Sequence, residues 1–451
     1  VNTRLSAALR TATSRLKELG RREKPALARC DVVLVVPVAV SAEPKAPFEA
    51  GPLPLGWRMG RRDEITAKAG SRRSYTSDGL LPLLWADPVR WHREADGLTM
   101  PKAGFTLSGV EIVRLTPEAL QAAGAGGDRG PNGVAMLHGT LPIQEGEKVL
   151  KTLHRTCNLD PSHGIAQREW IGHQLPEGST VSPYTREAFA CTLVTAVNRL
   201  PELFPRQEYA GWRLEDQWLW SLYYSARYLP DAENLNDLRA LQIRMSSKVR
   251  GIVTHRGLSL VGTAQDPGRD TPVNFYDGTT YHLRTLYADA VALACLQRIF
   301  LDAIGGAVAR TGRHEPKREE VARLERELLN FRRTYWSAHF GHRESMDVIL
   351  AACQSQFGLQ AEMDRLVRDL GEFSRQVQAA ASETTNAILG LLTALGLPIT
   401  VGVAMWQGLA DNDYPSLWKT VALSAIVSVG LVLAFPGLKR LLSGIFSLRR
   451  R

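Results

Sequence analysis

Few features of this sequence support covalent or redox chemistry. Its cysteines number five, Cys30, Cys157, Cys191, Cys295 and Cys353, scattered and without a CxxC pair. That excludes a disulfide framework and suits a reducing compartment. No Ser-His-Asp set, HExxH or nucleotide-binding motif is present. The Gly-rich stretch AGAGGDRGPNG (123–133) lacks the Lys-Ser/Thr ending of a phosphate-binding loop and reads as a surface connection. The first residues, VNTRLSAALRTATSRLKELGRREK, are amphipathic and basic, with no apolar core or cleavage site of a signal peptide. These absences point to a non-enzymatic protein without an organic cofactor, whose polar part stays in the cytoplasm.

What is present is a basic balance and two long uncharged runs. The net charge is +9 and the pI about 9.4, with 44% hydrophobic and 22% charged residues. Part of the excess lies in the last dozen residues, which favours anionic lipid over nucleic acid as partner. No charge occurs from Thr384 to Ala410, and the run AILGLLTALGLPITVGVAMW within it has about the 20 residues that cross a bilayer. A second run, TVALSAIVSVGLVLAFPGL, occupies 420–438. Pro398 falls mid-run, a placement that membrane helices tolerate. The competing reading is a helical hairpin buried in a soluble core. Lys439, Arg440 and Arg449 to Arg451 follow the second run without an acid, whereas the intervening loop carries Asp411 and Asp413 against Lys419. Positive residues stay inside, so both termini are expected in the cytoplasm of a multi-pass inner (plasma) membrane protein. Trp406 and Trp418 flank the loop, where an aromatic belt would sit.

The remainder reads as an α/β (α+β) domain. DVVLVVPVAV (31–40) predicts a buried strand, and further strands are expected at 105–115, 133–143 and 251–262. Residues 1 to about 25 and the segments near 145–156, 184–200 and 212–248 have helical patterns, and 43–60 is rich in Pro and Gly. From about 280 the pattern is wholly helical. One long helix is expected over 282–304 and another opens at Glu315-Pro316, with Val321, Leu324, Leu328, Phe331 and Tyr335 forming a seam. Leu359, Met363, Leu366, Leu370, Phe373, Val377, Ala380 and Thr384 then alternate strictly by four and three. This heptad runs straight into the first uncharged run. It predicts one helix from about 347 to 408, roughly 90 Å long at 1.5 Å per residue. Such a seam needs neighbours from its own chain or from other copies.

The expected divisions are a cytoplasmic domain at 1–278, a long-helix stalk at 279–383, spans at 384–409 and 419–438 around an external loop at 410–418, and a basic tail at 439–451. This plan resembles the CorA-like magnesium transporter family. In TTNAILGLLTALGLPITVGVAMWQG the family's first span is matched by Asn386, Leu392-Thr393, Leu397-Pro398 and Thr400. The resemblance covers about 280–451, and the rest agrees only in layout. The family's Gly-Met-Asn triplet is absent; Trp406-Gln407-Gly408-Leu409 stands there instead. The resemblance implies a homopentameric channel or transporter for divalent cations, Mg2+ foremost as substrate or regulator. The alternative is a membrane-anchored sensor or effector that keeps the architecture without metal selectivity.

Asn386, Gly390, Thr393, Leu397, Thr400 or Val401, Ala404 and Gly408 share one helical face, small or polar except at Leu397. Around an axis they would line a pore with hydroxyl rings at Thr393 and Thr400, while Asp411 and Asp413 would gather cations at the outer mouth. Mg2+ sheds water reluctantly, which suits hydrogen-bonding rings. Small residues also serve close helix packing, which is the competing reading. Elsewhere, His154, Cys157 and His163 could be metal ligands, but their spacing matches no standard zinc pattern. His339 and His342 raise the same question. Glu319-Glu320 reads as a solvated helix face, and Trp212, Trp218 and Trp220 as core.

Overall fold

The computed structural model describes residues 25–40, 44–55, 69–85, 89–115, 130–204, 207–224, 230–231, 234–267, 274–313, 317–336 and 339–408, with Lys419, Ala422, Leu423 and Ile426. The chain divides into two units, one of residues 1–313 and 323–368 and the other of 314–322 and 369–451.

A ten-stranded sheet organises the first unit. Its strands are β1 (Leu27–Ala39), β2 (Glu49–Ala50), β3 (Arg90–Thr99), β4 (Thr106–Arg114), β5 (Gly133–Thr140), β6 (Thr180–Val181), β7 (Phe189–Ala196), β8 (Gln242–Ser246), β9 (Val249–Val253) and β10 (Gly257–Gln265). They lie in the order β2-β3-β4-β5-β1-β7-β10-β9-β8, with β6 paired to the end of β1. Among the described strands only β7 and β10 pair in parallel. The run at 31–40 is apolar throughout because β1 is central and covered on both faces.

Period-two alternation divides the two faces. Val32, Leu34, Val36 and Val38 of β1, with Val110, Ile112, Ala135 and Leu137, enter one apolar core. That core is closed by α3 (Gly146–Cys157), α4 (Ile165–Gln174), α5 (Leu214–Tyr224) and α6 (Asn234–Ala240), with Trp212, Trp218 and Trp220 buried in it. The short helices α1 (Ala69–Ser74) and α2 (Leu81–Leu84) precede β3. The other face meets α7 (Phe275–His282), a π-helical turn at Leu283–Tyr287 and α8 (Ala288–Thr311). Asn274 starts this helix by accepting the Tyr276 N–H at 2.9 Å, the capping role for which Asn is suited.

Three further helices follow α8 among the described residues: α9 (Arg318–Thr334), α10 (Glu344–Gln356) and α11 (Leu359–Gly408). Phe331 of α9 stacks on Phe300 of α8 with ring centroids 4.3 Å apart, as the seam at Leu324, Leu328 and Phe331 predicts. Leu359, Met363 and Leu366 are likewise buried.

Four expectations need correction. The segment 184–200 is not a helix, for β7 occupies 189–196 and all its residues are buried. The segment 212–248 is two short helices and strand β8. The long helix does not begin at 347. Gly358, at φ +65°, ends α10 and gives its N–H to the Ser355 carbonyl, so a new helix begins at Leu359. The strand placed at 251–262 is the hairpin β9–β10. The N-terminal helical segment lies outside the described residues.

Candidate functional site

The sequence places its strongest functional signal on the later part of α11. This helix continues through Pro398 to Gly408 and has no charged residue after Glu383. Asn386, Thr393, Thr400 and Ala404 are exposed and Gly390 is half-buried. Leu397 and Gly408 lie on the helix, while Asp411 and Asp413 lie outside the described residues, as do the second uncharged run, apart from Ala422, Leu423 and Ile426, and the basic tail. At spacings of four and three, the helical positions from 386 to 404 fall on one face. The Thr393 hydroxyl donates to the Leu389 carbonyl at 2.8 Å, which leaves its oxygen lone pairs as acceptors.

Large apolar side chains on the same segment are exposed: Leu392 is 61% exposed, with Ile388, Leu389 and Val403 also exposed. By contrast, Phe275–Thr311 is long and apolar enough to cross a membrane, yet 72% of its apolar window is buried within the protein. That helix is a core element.

Beneath α7 and α8 the sheet carries two buried ionic networks that the sequence reading missed. Arg72, Arg90, Glu111 and Asp289 form the first, all fully buried. Arg72 donates to Glu111 at 2.6 Å and to Asp289 at 2.7 Å, and Arg90 reaches the same two carboxylates, at 2.8 Å to Asp289. Burial opposes the Arg72 charge, but Asp289 and Glu111 outweigh it and hold the guanidinium above its usual range. Burial likewise opposes the Glu111 carboxylate, and Arg72 and Arg90 drive it well below the carboxylate range. His138 lies 3.7 Å from Glu111, and burial pushes it down to about 3. In the second network Arg29 bonds Asp266 at 2.5 Å and Asp277 at 2.8 Å, while Asp31 accepts from Thr280 and from Arg284 of the π-helical turn. The ionic contacts of these networks are internal and tie strands to helix. Their bonded partners lie from 21 to 253 residues apart, so no local spacing reveals them.

The proposed metal ligands do not converge. Cys157 is buried, with burial pushing its thiol up to about 12, whereas His154 and His163 are exposed. His339 instead contacts Asp347 at 3.1 Å. Among the described residues no group of three His, Cys, Asp or Glu side chains is arranged to hold a metal.

His163 belongs to a different arrangement, an open polar cleft of about 430 Å³ shared with Asn158, Asp160, Arg186, His255 and Arg256. Three segments build it. The loop 158–164 leads into α4, Arg186 and Glu187 precede β7, and His255 and Arg256 form the β9–β10 turn. Arg168 stitches the first two, donating to the carbonyls of Leu159 at 2.9 Å and Ser182 at 2.9 Å and also to that of Thr185. The sequence signalled only His163; Asn158 and Asp160 share its loop, while Arg186, His255 and Arg256 arrive from other segments.

No protein-family model matches the chain, and no curated protein matches it.

Proposed function

We propose that the chain is a homo-oligomeric, CorA-like membrane channel or transporter for divalent cations, with Mg2+ the expected ion. The observation that carries this reading is the continuity of α11, from the buried heptad residues Leu359 to Leu370 into an uncharged helix with exposed apolar side chains. From Thr384 to Gly408 the helix rises about 37 Å, enough for a hydrocarbon layer of about 30 Å. Exposed leucines and isoleucines on an uncharged helix suit lipid, and the second uncharged run would complete a hairpin with both termini in the cytoplasm. In copies arranged around an axis, Thr393 and Thr400 would offer hydroxyl oxygens to the water shell of a cation, with Leu397 as the narrow apolar ring. Asp411 and Asp413 would concentrate cations at the outer mouth.

Reconstitution into vesicles loaded with a magnesium-sensitive dye tests the reading. The wild type should admit Mg2+, and Thr400→Leu or Asp413→Ala should change the flux. No flux through the wild type, or flux unchanged from wild type in both variants, overturns it. A second reading, a membrane-anchored sensor or effector, is favoured by the missing Gly-Met-Asn triplet and by the polar cleft of the first unit. Magnesium-dependent rescue of a transport-deficient strain separates the two, since only a transporter restores growth.

A further inference from the structure

Just before α10 the chain lies as a strap, residues 339–343, against the segment that follows α1. The Ser77 N–H donates to the Phe340 carbonyl at 2.8 Å and the His342 N–H to the Tyr75 carbonyl at 3.4 Å, with Thr76 and Gly341 paired between them. Glycine is required at 341, because a Cβ there would strike the Tyr75 carbonyl. Phe340 is fully buried, and its N–H donates to Asp347 at 2.6 Å. The other Asp347 oxygen meets His339 at 3.1 Å. A short strap with few backbone bonds belongs to the part of a fold that opens locally.

The end of the strap is held by side chains. Arg343 Nη1 donates to Nε2 of His282, the last residue of α7, at 3.0 Å. Its Nη2 donates to the Tyr75 hydroxyl at 3.4 Å, and the guanidinium lies 4.6 Å from the Tyr75 ring centroid. A guanidinium stays charged and can only donate, so this bond exists while His282 is neutral. Protonation would turn Nε2 into a donor facing a fixed cation. The rings of Tyr281 and Tyr287 also face the imidazole, and the Tyr287 hydroxyl bonds Ser345 of α10. Nearby on the same helix, Asp277 bonds Arg29 and Arg284 bonds Asp31, both toward the sheet. On the strap side, His339, His342 and Glu344 are exposed. Burial, and after it Arg343, pushes His282 from 6.5 down to about 4.

We propose that Arg343 and His282 form an acid-sensitive latch that holds the 339–343 strap, and with it the start of α10, against the segment after α1. The latch lies within the first unit and stands whether or not α11 conducts. Its sign follows from the bond. The closed strap keeps His282 neutral, and an opened strap returns it toward its ordinary value. Opening should therefore be rarest above pH 6.5 and rise as pH falls toward 4, by up to about 300-fold over that range. Hydrogen–deuterium exchange of the detergent-solubilised full chain, corrected for the intrinsic pH dependence of exchange, tests this on peptides covering 75–78 and 339–347, with β1 as reference. In the wild type, strap protection should fall at least about tenfold between pH 6.5 and 4.5 while that of β1 holds. His282→Gln keeps a neutral acceptor for Arg343 but does not titrate, so it should retain protection and flatten the fall. Arg343→Ala should lower strap protection several-fold already at pH 7, with β1 showing that the variant is folded. A flat wild-type profile, an equal loss in β1, or an undiminished fall in His282→Gln overturns the proposal.

Discussion

Glu111 lies between two guanidiniums in a space closed to water, so those cations and the Leu53 N–H at 3.1 Å replace its hydration. Removing one member of such a buried set leaves uncompensated charge and typically costs about 3–5 kcal/mol. Glu111→Ala should lose stability of that order in urea denaturation of the solubilised chain. Glu147→Ala, which breaks the exposed Glu147–Lys151 pair, should change it by less than about 1 kcal/mol. His138 adds a pH dependence. Its folded value, about 3, lies below the ordinary value near 6.5, so the unfolded chain takes up a proton that the folded chain refuses. This contribution is complete above pH 6.5 and is lost as pH falls toward 3. His282, pushed down to about 4 by burial and Arg343, acts in the same direction. His138→Gln should therefore flatten the acid limb by about 1.4 kcal/mol per pH unit between pH 6 and 4. Urea midpoints at several pH values measure it, and an unchanged slope would contradict it. None of these charges was legible in the sequence. A lone Glu or Arg in a strand looks the same whether its partner is water or a residue two hundred positions away.

At the level of elements, legibility followed the length of a pattern and the kind of burial. The heptad from Leu359 and the apolar run of β1 declared themselves because many residues repeat one rule. Residues 184–200 misled because β7 is buried on both faces and so has no alternation to separate it from a helix; its Phe189, Val194 and paired Thr192 and Thr195 were the available β signals. The break before α11 rests on one residue. Gly358 adopts a left-handed conformation with open space where a Cβ would lie, so Gly358→Ala should cost only the conformational term, about 1–2 kcal/mol. In α11 itself, Leu366 is buried whereas its neighbour Val367 is 46% exposed. Leu366→Ala should cost about 2–5 kcal/mol in a thermal or urea melt, and Val367→Ala should be close to neutral. Equal losses at the two positions would mean that the seam faces elsewhere. The cleft was the least legible element, being assembled by a loop, a strand end and a turn with no shared spacing.

The topology of the whole molecule is open to a direct test because of its cysteines. All five are buried and free, and burial raises their thiols, Cys157 and Cys295 to about 12, with Cys30, Cys191 and Cys353 also held well above the ordinary thiol range. The thiolate is the reactive form, so at neutral pH the native chain should be nearly inert to maleimides and react at five sites only after denaturation. Against that silent background, a single introduced cysteine reports its own side of the bilayer. If the hairpin has the charge-directed orientation, Asp413→Cys should react with a membrane-impermeant maleimide in intact cells, and Arg449→Cys only after permeabilisation. The reverse pattern would invert the topology and move Asp411 and Asp413 away from an outer mouth. Equal reactivity of both in permeabilised cells, with neither reached in intact ones, would mean that α11 and the following run do not cross the membrane as a hairpin, and the channel reading would fall with it.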